Sequence, residues 1–268
     1  MREDEKVIKD IRTFFDLAAI KRDREFRENS VLGYEQDVRQ MILFDMIMLE
    51  EGDIILEVGC GNGRDTPFYV SIEDVKYIGI DISEKMLESA RKKIGNIDRK
   101  SYAHFLSADA TNMPFPDNTF NKIVCSEVLE HIPKWDKAIA EFARIIKDDG
   151  ILVITTPNNY SVYGLTRIFY EKTKGTSHPF DSWKNYWLLK KYLQKNQFFV
   201  ENIRGAGYLP GFLSYMIHVE NLLRPILPSM KKIEKRFLSK NFITRYFGYM
   251  IGIKCKNTSS SIIESNFV

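Results

Sequence analysis

The stretch Ile55 to Asp65, ILEVGCGNGRD, followed by YIGID at Tyr77 to Asp81, decides how the rest of the chain is read. An apolar run that delivers Gly59, Gly61 and Gly63 in close succession describes a backbone that turns sharply and approaches a ligand, since glycine takes positive φ without steric cost. The glycines begin like the dinucleotide fingerprint G-x-G-x-x-G, but Arg64 stands where its third glycine belongs. No G-K-[ST] follows, so a phosphate P-loop does not fit either. Glu57, just ahead of the first glycine, would repel a pyrophosphate and suits a ligand carrying an ammonium group or hydroxyls.

Two further carboxylates fall at predicted strand ends, where ligands sit in a parallel sheet. Asp81 closes YIGID and can accept both hydrogens of a ribose diol. Asp109, in SADAT, is followed by the small Ala110; its natural partner is an exocyclic amine such as adenine N6, with the Ala110 N–H available to a ring nitrogen. The competing role for Asp81 and Asp109 is a helix N-cap. Together with Glu57 and the glycines, they describe a site for an adenosine with a zwitterionic, phosphate-free tail.

Outward from the loop, short β runs alternate with helical patterns. Strands are predicted over 54–58, 75–80, 103–108, 122–126, 151–156, 198–207 and 249–256, and helices over 64–71, 84–94, 133–147 and 185–194. This α/β alternation at such spacing implies right-handed crossovers and a mostly parallel, doubly wound sheet. Two amphipathic helical stretches precede it, one within residues 1–30 and one over VRQMILFDMIMLEEG, with Gly52 as its expected stop.

The 268 residues, 44% hydrophobic and 28% charged, are an ordinary globular composition. A net charge of +3 provides no global field for nucleic acid, and none is expected as a partner. Cys60, Cys125 and Cys255 lie far apart among apolar or glycine neighbours and read as buried, reduced thiols. The charged MREDEKVIKD start lacks an apolar signal core, and no run is long enough to span a membrane. The expected location is cytoplasmic.

ILEVGCGNG, YIGIDIS, SADATNMPFPDNTFNKIVCSEVLEHI and LVITTPN, in that order, resemble the motifs of class I S-adenosylmethionine-dependent methyltransferases, in particular the small-molecule group that includes quinone-biosynthesis enzymes. The resemblance covers about residues 54–158. It implies a Rossmann-like, seven-stranded sheet whose last strand is antiparallel. It further implies that Glu57 and the loop Gly59, Cys60, Gly61 and Gly63 meet the methionine moiety of S-adenosyl-L-methionine. Asp81 would hold the ribose, Ile82 and Met86 would pack on the adenine face, Asp109 and Ala110 would read the adenine edge, and Ser126 and Glu127 would border the sulfonium. The product would be S-adenosyl-L-homocysteine.

Methyl transfer from a sulfonium is a direct displacement, so the protein supplies mainly proximity and alignment. A base is required only where the acceptor must lose a proton. His131 is the candidate base, its alternative role being ordinary packing. Glu127, Glu130 and His131 also form E-x-x-E-H, a spacing that with His178 could ligate a divalent cation. The aromatic-rich segment after the fifth strand is where an acceptor pocket is expected, with Tyr160 and His178 as its candidate substrate-binding residues.

From Tyr208 to Val268, nine Lys or Arg face three Glu, and the segment is unusually apolar. It reads as a helical cap, a peripheral membrane contact or a dimer contact. The expected organisation is an N-terminal helical lid (1–50), a core (51–207 and 248–257), a helical insertion (208–247) and a flexible tail (258–268). The expected function is methyl transfer to a small or lipid-like, isoprenoid-type acceptor. Its rivals are an NAD(P)-dependent oxidoreductase and a non-catalytic binding protein on the same fold.

Overall fold

The computed structural model describes residues 3–25, 31–95, 102–161, 164, 179–208 and 225–258. Seven strands, β1 (Ile54–Val58), β2 (Lys76–Asp81), β3 (Ala103–Ser107), β4 (Phe120–Ser126), β5 (Ile146–Pro157), β6 (Phe198–Ala206) and β7 (Met250–Asn257), make one sheet in the order β3-β2-β1-β4-β5-β7-β6. Strands β1 to β5 pair in parallel, while β7 lies antiparallel between β5 and β6. This is the Rossmann-like sheet the sequence implied, with its last strand reversed.

Alternate side chains of each strand enter opposite cores, as the pleat requires. Leu56, Val58, Ile123, Cys125, Leu152 and Ile154 face one side, covered by α5 (Trp135–Ile145) and by Leu189 and Leu193 of α6 (Tyr186–Lys195). Ile55, Val124 and Val153 face the other, covered by α2 (Val31–Ile47) and by Tyr69 and Val70 of α3 (Thr66–Ser71). The remaining helices are α1 (Glu3–Glu25), α4 (Glu84–Ile94) and α7 (Leu227–Ile233), which runs on as a π turn over Glu234–Leu238. Cys60, Cys125 and Cys255 are free and buried.

The boundaries differ from expectation where a side chain or a special backbone overrides the pattern. Helix α2 ends at Ile47, five residues before Gly52, because Met48 takes φ 47° and stops it. Helix α5 starts at Trp135 rather than Pro133, the preceding residues Leu129–His131 forming a 3-10 turn. Strand β5 begins five residues early, at Ile146, across an irregularity in its register with β4. The tail from 259 lies outside the described residues.

Register fixes what converges. Val58 of β1 is level with Ile80 of β2 and with Cys125 of β4, and Asp81 is level with Ser107. The glycine loop, Asp81, the turn at Asp109 and Ser126–Glu127 therefore emerge at one edge, the carboxyl ends of the strands.

Candidate active site

The loop that leaves β1 bends back over β2, with the amides of Gly59 and Cys60 both donating to the Ile80 carbonyl. Gly59, Gly61 and Gly63 have φ of 71°, 53° and 68°. A Cβ at Gly59 would lie 2.2 Å from Val128, and one at Gly63 3.0 Å from Ala90; at Gly61 it would meet nothing within 4 Å. The loop is thus pressed against the protein at two corners and open at the middle one, which is where a ligand can approach the backbone.

Asp81 braces this geometry. Its Oδ2 accepts from the Gly61 N–H at 2.9 Å and its Oδ1 from the Ser83 N–H at 2.9 Å. Ser83 in turn caps α4, its Oγ accepting from Met86 N–H at 3.2 Å. Met86 itself is buried beneath that turn, whereas Ile82 is only partly covered. Asp109 holds a tighter turn, its Oδ1 accepting from the N–H and hydroxyl of Thr111, both at 2.8 Å. Each carboxylate does cap its own loop.

Glu57 points inward. It is buried, accepts a 2.5 Å bond from the Tyr77 hydroxyl, and Tyr77 accepts from Thr66 at 3.0 Å. Burial, with Asp65 beside it, pushes the Glu57 carboxyl up to about 8. Cys60 is also buried, which raises its thiol well above the usual range and leaves its backbone as the part available to a ligand.

A buried cation ties these pieces together. Arg39 of α2 forms a fork with Asp65 (2.7 and 3.0 Å) and donates to Ser126 Oγ at 2.8 Å; Gln40 adds a 2.7 Å bond to Asp65. Nothing in the glycine motif announces Arg39. The signal available was an Arg-Gln pair inside the apolar run VRQMILF, a place where charge is kept only if it is paired. Arg39 holds Asp65 ionised, below the usual carboxylate range, although burial opposes it.

On the far side of β4, Glu127 has φ 55°, a strained conformation for a non-glycine residue at a site edge. Its carboxylate lies 3.9 Å from Arg39 Nε. Glu130 is buried, accepts from Thr156 Oγ1 at 3.2 Å, and is pushed up to about 8 by burial and by Glu127. Lys184, buried with its ammonium 5.4 Å from the Trp135 ring centre, is pulled down to about 8 by the same loss of water. His131 Nδ1 lies 3.2 Å from the Phe180 carbonyl. A carbonyl only accepts, so Nδ1 carries the proton in the neutral ring and Nε2 is the basic nitrogen.

Among the described residues no group of three or more His, Cys, Asp or Glu is placed to hold a metal ion. Glu127 turns toward Arg39 and Glu130 toward Thr156, and His178 lies outside the described residues. Tyr160 stands apart from that cluster. It meets Trp187 edge to face at 5.5 Å, and the two line a wide-open surface pocket of about 330 Å³ with Phe247.

Helix α1 reaches across this edge. Ser83 Oγ donates to Asp16 at 2.5 Å, and Phe15 packs edge-on against His131 at 5.3 Å.

Residues 56–154 match the family described as a methyltransferase domain. The chain is 31% identical over 150 residues to a 27-O-demethylrifamycin SV methyltransferase of Amycolatopsis mediterranei, covering 52% of this chain and 55% of that one. It is 30% identical to a demethylmenaquinone methyltransferase of Symbiobacterium thermophilum, covering 52% and 56%. The chain therefore spans about half the length of these curated relatives. Among solved structures, geranyl diphosphate C-methyltransferase from Streptomyces coelicolor, in complex with Mg2+, geranyl diphosphate and S-adenosyl-L-homocysteine, superposes with TM-score 0.59 at 12% identity, covering 83% of this chain and 79% of that one. Residues 56–154 thus match the methyltransferase domain family, and the chain shares its Rossmann-like fold with a solved methyltransferase.

Proposed function

We propose that this protein transfers a methyl group from S-adenosylmethionine to a small or lipid-like acceptor, releasing S-adenosylhomocysteine. The observation that carries the reading is the convergence, at one strand edge, of a glycine loop open at Gly61 with the carboxylates of Asp81 and Asp109. When bound, the cofactor supplies a methyl group on a cationic sulfur, already activated for displacement.

The residues fit that group by chemistry. Gly61 lets the backbone come close; Asp81, fixed by two amides, is a carboxylate of the kind that accepts from a ribose diol. Asp109 and Ala110 suit the adenine edge, and Ile82 its face. An ammonium group beside Glu57 would offset the burial that now keeps that carboxyl protonated. Ser126 and Glu127 border the reaction centre at the end of β4. Residues 1–50 serve as a lid, the Asp16–Ser83 bond and the Phe15–His131 contact excluding water from the edge. Where the acceptor must lose a proton, His131 Nε2 takes it.

The acceptor enters by the Tyr160, Trp187 and Phe247 pocket, whose aromatic walls suit a flat or isoprenoid-like body. A demethylrifamycin, a demethylmenaquinone and geranyl diphosphate, named for the similar proteins, are in keeping with that.

The test is the melting temperature titrated separately with S-adenosylhomocysteine, S-adenosylmethionine, NAD and NADP, because a ligand that binds only the native state raises it. A rise with S-adenosylhomocysteine that disappears in Asp81→Ala is expected. A rise with NAD alone would overturn the reading in favour of an oxidoreductase.

A further inference from the structure

Between β6 and β7 the described chain makes a firmly built turn that exposes apolar side chains. Thr244 Oγ1 donates to the Leu238 carbonyl at 2.6 Å, closing its base, and Asn241 Oδ1 accepts from the amides of Ile243 and Thr244 at 2.9 and 3.3 Å. The single Tyr208 Oη proton is shared between the carbonyls of Leu238 and Thr244, at 3.1 and 3.0 Å, fastening the turn to the end of β6. At its apex Phe242 is 75% exposed and Ile243 66%, the two most exposed large apolar side chains among the described residues. Such a turn is no frayed loop, and its apex side chains stand mostly in solvent.

The charges around it are sorted. Residues 225–248 contain Lys231, Lys232, Lys235, Arg236, Lys240 and Arg245 and a single carboxylate, Glu234. Glu234 is turned inward, buried and bonded by the Tyr34 hydroxyl at 2.6 Å and the Tyr208 amide at 2.7 Å. Lys232, Lys235, Arg236 and Lys240 are exposed, while Lys231 pairs with Asp37 at 2.6 Å. The exposed side chains of this segment are therefore cationic as well as apolar, which complements an anionic lipid surface.

The apex also connects to the pocket. The Arg245 guanidinium lies over the Phe242 ring at 5.2 Å and over Tyr246 at 5.0 Å; Tyr246 stacks on Trp187 at 5.5 Å, and Trp187 meets Tyr160. The Arg245 guanidinium thus bridges the exposed tip to the ring contacts that line the proposed acceptor opening.

We propose that the 239–247 turn and the exposed side of α7 dock onto an anionic lipid bilayer, with Phe242 and Ile243 entering the interface and the lysines and Arg236 facing the headgroups. The docking stands independently of the methyl-transfer reading; that the bilayer also delivers the acceptor rests on it.

The test is sedimentation of the full chain with vesicles of phosphatidylcholine alone or mixed with phosphatidylglycerol, at low and high salt. Pelleting is expected only with the anionic vesicles, weakening as salt rises. Phe242→Ser/Ile243→Ser should lower partitioning about tenfold or more, and Lys235→Glu/Arg236→Glu at least about fivefold for each cation removed. The thermal response of each variant to S-adenosylhomocysteine should match the parent's, which shows that the variants fold and separates a failure here from a failure of the cofactor reading. A parent that stays in the supernatant, or variants that pellet as the parent does, would overturn the proposal. So would a vesicle-free sedimentation coefficient that falls in Phe242→Ser/Ile243→Ser, since the face would then join two copies of the chain.

Discussion

Where β1, β2 and β4 end, the edge of the sheet is built from matched polar groups: Arg39 on Asp65 and Ser126, Tyr77 on Glu57, Asp81 on two amides. Beyond β5 and β7 the same edge is built from rings, with Tyr160, Trp187, Tyr246 and Phe247 half-buried or exposed. Hydrogen bonds and buried charge have narrow geometric tolerance, so the first region holds one shape. Ring contacts are broad and tolerate repacking. The first region suits a ligand that never changes, the second one that can differ between relatives.

The largest loss of stability is expected at Arg39. Arg39→Ala would strand the Asp65 charge in the interior and should cost about 3–5 kcal/mol, read by urea unfolding. Within the loop, Gly59→Ala should cost more than Gly61→Ala. The first Cβ collides with Val128 and adds overpacking of about 1–3 kcal/mol, whereas the second adds only the left-handed backbone penalty of about 1–2 kcal/mol, which both share. Equal losses in unfolding experiments would mean the loop is not pressed on Val128.

A subtler test uses pH. A carboxyl raised to about 8 in the fold and near its ordinary value when unfolded is uncharged in both states at acid pH, so its penalty grows as pH rises toward 8 and then levels off. Replacing Glu57 with Gln should thus leave the melting temperature near the parent's at pH 4, below the ordinary carboxyl value, and raise it above the parent's at pH 8. The smallest effect on stability is expected in the aromatic region. Trp187→Ala, at a 52% exposed side chain, should change stability by less than about 1 kcal/mol. It should still raise the acceptor KM about tenfold with S-adenosylhomocysteine binding unchanged, since one ring contact is worth about 0.5–1.5 kcal/mol beyond its buried area. Weakened cofactor binding in that variant would show that the two regions are not separable.

The parallel sheet and the glycine loop were legible because both rest on local patterns: apolar runs at fixed spacing, and glycines that take positive φ without steric cost. Strand positions were read to within a residue or two except at β5, where residues 146–150 carry Lys, two Asp and Gly and look like a loop. Arg39 was not legible as a site residue, because its partners lie 26 and 87 positions away and nothing local pairs it with them. The inward turn of Glu57 was hidden for the same reason: Tyr77, which claims it, belongs to the next strand. The exposed apex at Phe242 and Ile243 was readable only as an apolar, basic segment, since sequence does not say which side of a turn faces water.

The place of β7 has a consequence for how the protein is made. The strand that comes last in the sheet's sequence order is not an edge but the bridge between β5 and β6, pairing Ile151 with Lys256 and Ile203 with Ile253. Until residues 250–257 have left the ribosome, β5 has no neighbour on that side and β6 has none at all. The emerging chain must therefore hold an apolar strand without its partners through nearly a hundred residues of synthesis, a topology that folds slowly. The ring-lined half of the edge can be completed only after every residue of the polar half has been synthesised.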